Sequence, residues 1–433
     1  MQTQAVALDA YQQTIRTLSD RIVAAQRPIR LLDAIKWDDA VKADFFGSNC
    51  KELPAVDHAY YSRNQLSFEP EQKREEFYDI ERDIRRQLGQ FNSVGNIMLR
   101  LCREYRKVVD MIERRGTPQF SRISQDLFGS AEDVFHAGDL TLTDLAEMIS
   151  DTLHNLDGQR VMSELDRKTI SSEQAVEILQ ARLGTYFAKS SFPVEVKLSD
   201  GIIADAAAGA DYIKIRKDAW FSQRDLDVLE VHEGWVHLGT TLNGLNQPVC
   251  TFLSKGPPSS TTTQEGLAII MEIFTMRSHP DRVKRLTNRI HAIRMVEAGA
   301  NFIEVFTHFL EQGFNQEDSY VATARVFRGS TPEGGPFTKD LCYNKGFILI
   351  YNYIMLAVRK GVPQNIPLLF CGKTTLEDLS TLSTLIEEGI VQPPTFVPPQ
   401  FADLAALSAW MCYSNFVSRL DRDRIEMDYK GIL

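Results

Sequence analysis

The sequence predicts an α+β fold that is mainly helical and carries one small antiparallel or mixed sheet. Three observations support this fold class. Apolar residues recur at helical spacing through the first 190 residues. Two short alternating segments follow, at 192–198 and 211–216, with a Ser-Asp-Gly turn and a run of small residues between them. Helical patterns return after position 222 and continue to the end of the sequence.

The first part of the chain is predicted to be helical throughout. An Arg-Gly-Thr-Pro sequence at 115–118 is a clear helix stop. We divide the chain into an N-terminal helical region, residues 1–190, and a second region, residues 191–433, packed against it. The segments with the strongest helical pattern are 5–25, 69–88 and 94–114.

The composition excludes some classes of protein. Of 433 residues, 43% are hydrophobic and 24% are charged. This apolar content is too high for a chain whose main state is disorder. The formal net charge is −10, from 58 acidic and 48 basic residues. Because nucleic-acid binding needs a basic face that displaces counterions, the sequence predicts no nucleic-acid partner.

The sequence predicts a cytoplasmic protein with no membrane partner. Its most apolar stretch, residues 347–358, is shorter than the roughly 20 residues that span a bilayer and contains Asn352. The N-terminus has no basic segment followed by an apolar one, so no signal peptide is expected. Scattered cysteines without a CxxC pair are typical of reduced cytoplasmic thiols. They are Cys50, Cys102, Cys250, Cys342, Cys371 and Cys412.

An HExxxH motif lies in the helix that Ser222 is expected to cap. Its residues are His232, Glu233 and His237. Zinc hydrolases hold the metal with neutral imidazoles and place a carboxylate beside the attacking water, whose proton it takes. We therefore predict His232 and His237 as zinc ligands and Glu233 as the general base. The motif alone also occurs by chance, because histidines on helices are usually core or surface residues.

The spacing of the two histidines predicts an irregular helix. Residues four apart on an α-helix differ by about 40° around the axis, but residues five apart differ by about 140°. His232 and His237 would then point in different directions. A π-type widening would return them to one face, and such turns favour functional sites. We predict a π-turn or another irregularity at 232–237, eased by Gly234.

Glu265 is the predicted third ligand. It lies in the Gln-Glu-Gly-Leu-Ala sequence of residues 264–268, in the first turn of a second helix. Gly266 and Ala268 are small enough for this helix to approach the motif helix closely. Two histidines from one helix and a glutamate from the next form the ligand set of glutamate-type zinc peptidases. Glu272, two turns later, would either orient a ligand through a hydrogen bond or be exposed.

These segments together resemble the DUF1704 family. Its bacterial members, named for the QEGLA motif, are called flavohemoglobin expression-modulating proteins. Its animal relatives are tyrosine carboxypeptidases that act on α-tubulin, with HExxxH and a downstream glutamate as their zinc site. The resemblance covers residues 190–360 and rests on the HEGWVHLGTTLNG and QEGLA sequences and on later FRG and KD–Y–G segments. It implies zinc peptidase machinery, but it does not imply a tubulin substrate.

A carboxypeptidase must also hold a terminal carboxylate, and the bidentate fork of arginine does this best. Arg328 is the predicted carboxylate-binding residue, with Arg325 and Lys339 as alternatives. Tyr343 is the predicted donor to the tetrahedral oxyanion. Otherwise the arginines would pair with acids on neighbouring helices, and Tyr343 would be a packed aromatic. An edge strand at 211–216 is expected to hold the substrate backbone.

The sequence thus predicts a helical, gluzincin-like zinc metallopeptidase that acts as a carboxypeptidase on a peptide or protein C-terminus. Two alternatives remain: a non-catalytic regulatory or interaction protein that keeps the fold, and a zinc hydrolase of another amide or an ester. The Cys-Gly-Lys-Thr sequence at 371–374 resembles the end of a phosphate-binding loop. Its leading glycine position is Pro367, however, so nucleotide binding is not predicted.

Overall fold

The computed structural model describes residues 8–135, 138–157, 164–200, 202, 205–209 and 212–430. Helices dominate this part of the chain, and the strands form two small sheets near its middle. The prediction of a mainly helical α+β fold is therefore confirmed. The first residues of the helix predicted at 5–25 lie outside the described part of the chain.

The N-terminal helices begin at local capping signals. Asp9 begins the first helix with a capping box, because its carboxylate accepts from the N–H of Gln12 and its own N–H donates to the Gln12 side chain. The predicted stop at 115–118 separates two helices. The helices are α1 (Ala10–Gln26), α2 (Leu31–Ile35), α3 (Asp39–Gly47), α4 (His58–Arg63), α5 (Pro70–Leu88), α6 (Ser93–Glu113), α7 (Pro118–Phe128), α8 (Leu142–Asp157) and α9 (Ser172–Tyr186).

The main sheet is mixed and has the order β2-β4-β3. Strand β2 (Glu195–Ser199) runs parallel to β4 (Tyr212–Arg216), and β3 (Ala206–Ala208) runs antiparallel to it. The prediction of an edge strand at 211–216 is wrong, because β4 pairs on both sides. The run of small residues forms the edge strand instead, and Asp211 lies outside the described residues. A second pair joins β1 (Ile170–Ser171) to β5 (Trp220–Phe221).

After the sheet the chain returns to helices. The predicted capping box at Ser222 is present, because Ser222 N–H donates to the Asp225 carboxylate at 2.9 Å and Asp225 N–H donates to Ser222 Oγ at 3.1 Å. The elements are α10 (Gln223–Leu229), the π segment (Glu230–Leu238), α11 (Gly239–Leu245), α12 (Pro258–Phe274), α13 (Pro280–Glu297), α14 (Phe302–Glu311), α15 (Gln316–Phe327), α16 (Cys342–Arg359), α17 (Leu379–Glu387), α18 (Pro399–Ala402), α19 (Leu404–Val417) and α20 (Arg422–Tyr429).

A shared hydrophobic cluster joins the N-terminal helices to the elements that follow the sheet. It combines buried side chains of α5 and α6 with others from the π segment and α12, among them Phe77, Met98, Val231 and Leu267. The segment that carries the motif is therefore supported from both predicted regions of the chain.

Helices α12 and α16 meet backbone to backbone. A Cβ atom on Gly266 would lie 2.2 Å from the carbonyl carbon of Gly346, and a Cβ on Gly346 would lie 2.0 Å from the carbonyl oxygen of Thr262. No side chain fits at either position. Helix α12 does pack against the motif helix, as expected. The part expected of Gly266 in that contact is wrong, because this glycine makes room for α16.

In the described residues, one helix, Thr338–Arg359, is long and apolar enough to cross a membrane by length and composition. That test is also passed by helices in the cores of proteins that enter no membrane. Ile350 and Ile354 of this helix are fully buried and belong to the shared cluster.

Candidate metal centre

The HExxxH motif lies on a π-helical segment, as its spacing predicts. At its end, the N–H of Gly239 donates to the carbonyl of Gly234, five residues earlier. The rings of His232 and His237 are brought together, with centroids 4.9 Å apart and planes at 85°. The prediction of an irregular helix at 232–237 is therefore confirmed.

Gly234 has a packing role in this segment. A Cβ atom there would lie 2.4 Å from Cδ2 of Leu183 on α9. Its backbone does not adopt a left-handed conformation. The absence of a side chain therefore lets the π segment lie directly against α9.

Three ligand atoms converge between the π segment and α12. Glu265 Oε2 lies 3.4 Å from Nε2 of His232 and 3.4 Å from Nε2 of His237. The ligand atoms of these three residues all lie within 4.8 Å of one another. Glu265 Oε2 is buried and has no hydrogen-bond partner among the described residues. A buried carboxylate oxygen that faces two imidazole nitrogens without such a bond is the arrangement a metal ion would complete.

Glu272 orients the first of these imidazoles. Its side chain is fully buried, and its Oε1 lies 2.7 Å from Nδ1 of His232. Arg282 donates to both Glu272 oxygens, at 3.1 and 2.8 Å. Burial acts to raise the pKa of Glu272, but Arg282 and His232 outweigh it and bring the pKa down to about 2. The charged carboxylate therefore accepts from Nδ1, which leaves Nε2 free to bind a metal. Of the two roles considered for Glu272, the structure supports the orienting one.

Glu233 is held apart from the three candidate ligands. Its Oε2 accepts a hydrogen bond of 2.9 Å from the N–H of Ala208 on edge strand β3. Its Oε1 lies 3.9 Å from Nε2 of His232. One oxygen is thus anchored to the sheet, and the other stays beside the candidate metal position.

The two arginines proposed from the sequence have different surroundings. Arg325 makes a bidentate ion pair with Asp340, at 2.8 and 2.9 Å. This is the alternative in which an arginine pairs with a nearby acid. Arg328 is only 6% exposed, its Nε has no hydrogen-bond partner among the described residues, and burial followed by the charge of Arg325 lowers its pKa to about 10. Arg328 is therefore a buried cation with no carboxylate in contact in the described part of the chain.

Two further cationic side chains, Lys339 and Arg289, lie near the candidate metal centre. Lys339 Nζ lies 3.3 Å from Glu265 Oε1, the oxygen that does not face the histidines. Arg289 places its guanidinium 4.8 Å from the ring centroid of Tyr343, and its buried Nη1 has no hydrogen-bond partner in the described part of the chain. The Tyr343 ring is stacked 6.1 Å from that of His232. Burial, reinforced by the nearby Glu265 carboxylate, raises the pKa of Tyr343, so its hydroxyl keeps its proton. Lys339 and Tyr343 are thus adjacent to the candidate metal centre.

Several neighbours of the site were not found from the sequence. Arg282 and Arg289 lie on α13, a charged helix whose pattern does not distinguish inward-facing arginines from solvated ones. Ala208 contributes only its backbone N–H. Lys373 lies in the Cys-Gly-Lys-Thr sequence, for which no nucleotide binding is predicted, and it contacts the π segment. None of these residues carries a local signal, because each reaches the site through tertiary packing.

The fold and this site define a mainly helical protein with an HExxxH-type candidate metal centre and a cationic side. A family model described as microtubule-associated tyrosine carboxypeptidase matches residues 43–419, and the chain belongs to that family. The family is one of carboxypeptidases, which are hydrolases that act at C-termini. The match includes every predicted site residue and extends well before the segment 190–360. No curated protein matches the sequence.

Proposed function

We propose that this chain is a zinc-dependent carboxypeptidase that acts on peptide or protein C-termini. Its family supports the reaction class. The observation that carries the metal assignment is the convergence of His232 Nε2 and His237 Nε2 on the buried Oε2 of Glu265, which no described residue hydrogen-bonds. These three residues would hold zinc, which would act as a Lewis acid that polarises the substrate carbonyl and activates water.

Glu233 is the proposed general base. Its Oε2 is anchored by the Ala208 N–H at 2.9 Å, so the position of the carboxylate is fixed by β3. Its Oε1 is then free to take a proton from the attacking water and to pass it to the leaving amine. The protonated Tyr343 hydroxyl is a suitable donor to the oxyanion that develops on the scissile carbonyl.

Arg328 is the proposed anchor for the terminal carboxylate of the substrate. Its guanidinium is buried and has no carboxylate in contact among the described residues, whereas Arg325 is neutralised by Asp340. Arg289 lies 3.7 Å from Asp340 through its Nε, and its buried Nη1, which no described residue accepts from, is a second donor. Lys339 is paired with Glu265, so its main role is to neutralise and orient that ligand. The terminal carboxylate of a substrate would form an ion pair with the Arg328 guanidinium, which has no such partner among the described residues.

The test combines zinc analysis with peptide cleavage. Wild-type protein should contain one zinc per chain, and Glu265→Ala should contain much less. The family description names tyrosine, so the first substrates are a peptide that ends in tyrosine and its C-terminal amide. Cleavage of the acid but not the amide supports the proposal. Equal cleavage of both would indicate an endopeptidase, and zinc binding without any cleavage would favour the non-catalytic alternative.

The six free cysteines suit a cytoplasmic location for this activity.

A further inference from the structure

Lys373 joins three elements at the edge of the candidate metal centre. Its Nζ lies 2.8 Å from the carbonyl oxygen of His237, 3.1 Å from Thr240 Oγ1 and 2.9 Å from Gln264 Oε1. These acceptors belong to the π segment, to α11 and to α12. An ammonium group has three N–H donors, so the three oxygens can use all of them. The backbone N–H of Lys373 also donates to Leu253 at 2.7 Å, which fixes the loop that carries it.

The contacts lie where the π segment returns to an α-helix. π-Turns are rare and persist where the surrounding structure holds them. The carbonyl oxygen of His237 accepts from Thr241 Oγ1 at 2.8 Å as well as from Lys373. Thr240 Oγ1 lies 2.7 Å from the carbonyl oxygen of Val236. Side-chain donors thus hydrogen-bond to backbone carbonyl oxygens at the point where the π-helical hydrogen-bond pattern gives way to the α-helical one.

The Lys373 ammonium group also contacts α12, the helix that carries the candidate ligand Glu265. Gln264, which directly precedes Glu265, places its Oε1 2.9 Å from Lys373 Nζ and 2.7 Å from Thr240 Oγ1. Lys373 therefore contacts the backbone of one candidate ligand and the neighbour of another. No Asp or Glu makes an ion pair with it among the described residues, so its contacts are all to neutral oxygens.

From this geometry we propose that Lys373 is a positioning residue that fixes the widened turn at His237 and ties it to Gln264, so that His237 and Glu265 stay within reach of one metal ion. The inference rests on the proposed zinc site and goes beyond it, because Lys373 touches neither metal nor substrate. It also explains why the Gln-Glu pair of α12 and the Gly-Lys-Thr loop, far apart in sequence, meet at this site.

The test is the zinc affinity of metal-free protein, measured by competition with a chelating dye at a temperature where every variant is folded. Lys373→Met keeps the length of the side chain but removes its donors. Its zinc dissociation constant should rise about 10- to 100-fold, the usual effect of losing a residue that supports a metal ligand. Thr241→Val removes another side-chain donor to the His237 carbonyl and should produce a smaller rise.

Lys255→Met is the matched control. Lys255 is a partly buried lysine of a neighbouring loop and donates no hydrogen bond to His237, Thr240 or Gln264 in the described part of the chain. Its substitution should leave the zinc dissociation constant unchanged. If Lys373→Met fails to fold, Lys373→Arg takes its place. Arginine keeps the charge but cannot direct three N–H groups to these oxygens, so its zinc affinity should also fall.

The outcomes separate this inference from the proposed function. If the wild type binds zinc and the Lys373 variants bind it equally well, Lys373 has no positioning role, even if their melting temperature falls. A wild type that binds no zinc would overturn the proposed function and this inference together. Weaker zinc binding by the Lys373 and Thr241 variants, with unchanged binding by Lys255→Met, would support it.

Discussion

The side chains of the metal centre differ in what holds them. His232 is fixed through Nδ1 by the buried Glu272 carboxylate at 2.7 Å. Glu233 is fixed by a backbone N–H of the edge strand at 2.9 Å. Glu265 has one oxygen near Lys339 and the other facing the imidazoles. Because they are held differently, the two carboxylates of the site have different proposed roles, Glu265 as a metal ligand and Glu233 as the general base.

Glu233→Gln should separate these tasks. The amide can stay between Ala208 and the metal position, and Glu233 is not a ligand, so the variant should keep stoichiometric zinc. It should lose about 10²- to 10⁴-fold in kcat, as expected for removal of a general base. Elemental analysis and peptide assays on the same samples test this, with His232→Ala as the variant that should lose the metal. Loss of zinc from Glu233→Gln would refute the division between ligand and base.

Arg328→Ala should abolish the preference for free C-termini. Truncation of one partner of a buried, hydrogen-bonded charge pair costs about 2–5 kcal/mol, so kcat/KM for the free-acid peptide should fall about 30- to several-thousand-fold. The amide peptide should be affected little. Arg294→Ala, which removes a half-exposed surface arginine, should change neither rate. Parallel loss on both peptides would show that Arg328 supports the fold and does not bind the carboxylate.

The sequence identified residues whose chemistry is tied to a fixed spacing. His232, Glu233, His237 and Glu265 lie in two short motifs, and the structure brings all four together. Residues brought in by tertiary packing carried no such pattern. The buried Arg289 resembles any other arginine of a charged helix.

At the scale of elements, unusual helix geometry and small residues place the site. The π segment brings two histidines five residues apart onto one face of the helix. The sequence predicts an irregularity here because a regular α-helix would point the two rings in different directions. The partner of Gly266 could not be predicted, since a glycine indicates a close approach but not which helix approaches. The sequence does not indicate that β4 is a central strand, because the Ala206–Ala208 segment that pairs with it has little strand propensity of its own.

Gly266→Ala should destabilise the protein. The new methyl group would lie 2.2 Å from the Gly346 backbone, which has no side chain to rotate away. Forcing extra volume into a packed contact typically costs about 1–3 kcal/mol, measurable by chemical denaturation. Gly184→Ala is the control, because Gly184 lies within α9 and a Cβ there meets nothing within 4 Å. That variant should be as stable as the wild type or up to about 1 kcal/mol more stable. Equal stability of both variants would show that α12 and α16 can separate at little cost.

At the scale of the whole molecule, zinc should contribute to stability. The candidate ligands come from the π segment and α12, and both elements belong to the hydrophobic cluster that also includes α5 and α6. An ion that binds only the folded chain adds about 2.7 kcal/mol at a free concentration 100 times its dissociation constant. Melting temperature should therefore rise with free zinc in the wild type but not in His237→Ala. A zinc-independent melting temperature in the wild type would contradict the proposed site.

The contact between Gly266 and Gly346 also has a consequence for motion. Helix α12 carries Glu265, and α16, which begins at Cys342, carries Tyr343. Because no side chain separates the two backbones at this contact, we expect α12 and α16 to move together. We therefore expect adjustment to a bound peptide in the short strand β3, which holds Glu233 through a hydrogen bond from Ala208. Substrate-induced changes in amide hydrogen exchange should accordingly concentrate in β3 and leave the facing helices nearly unchanged.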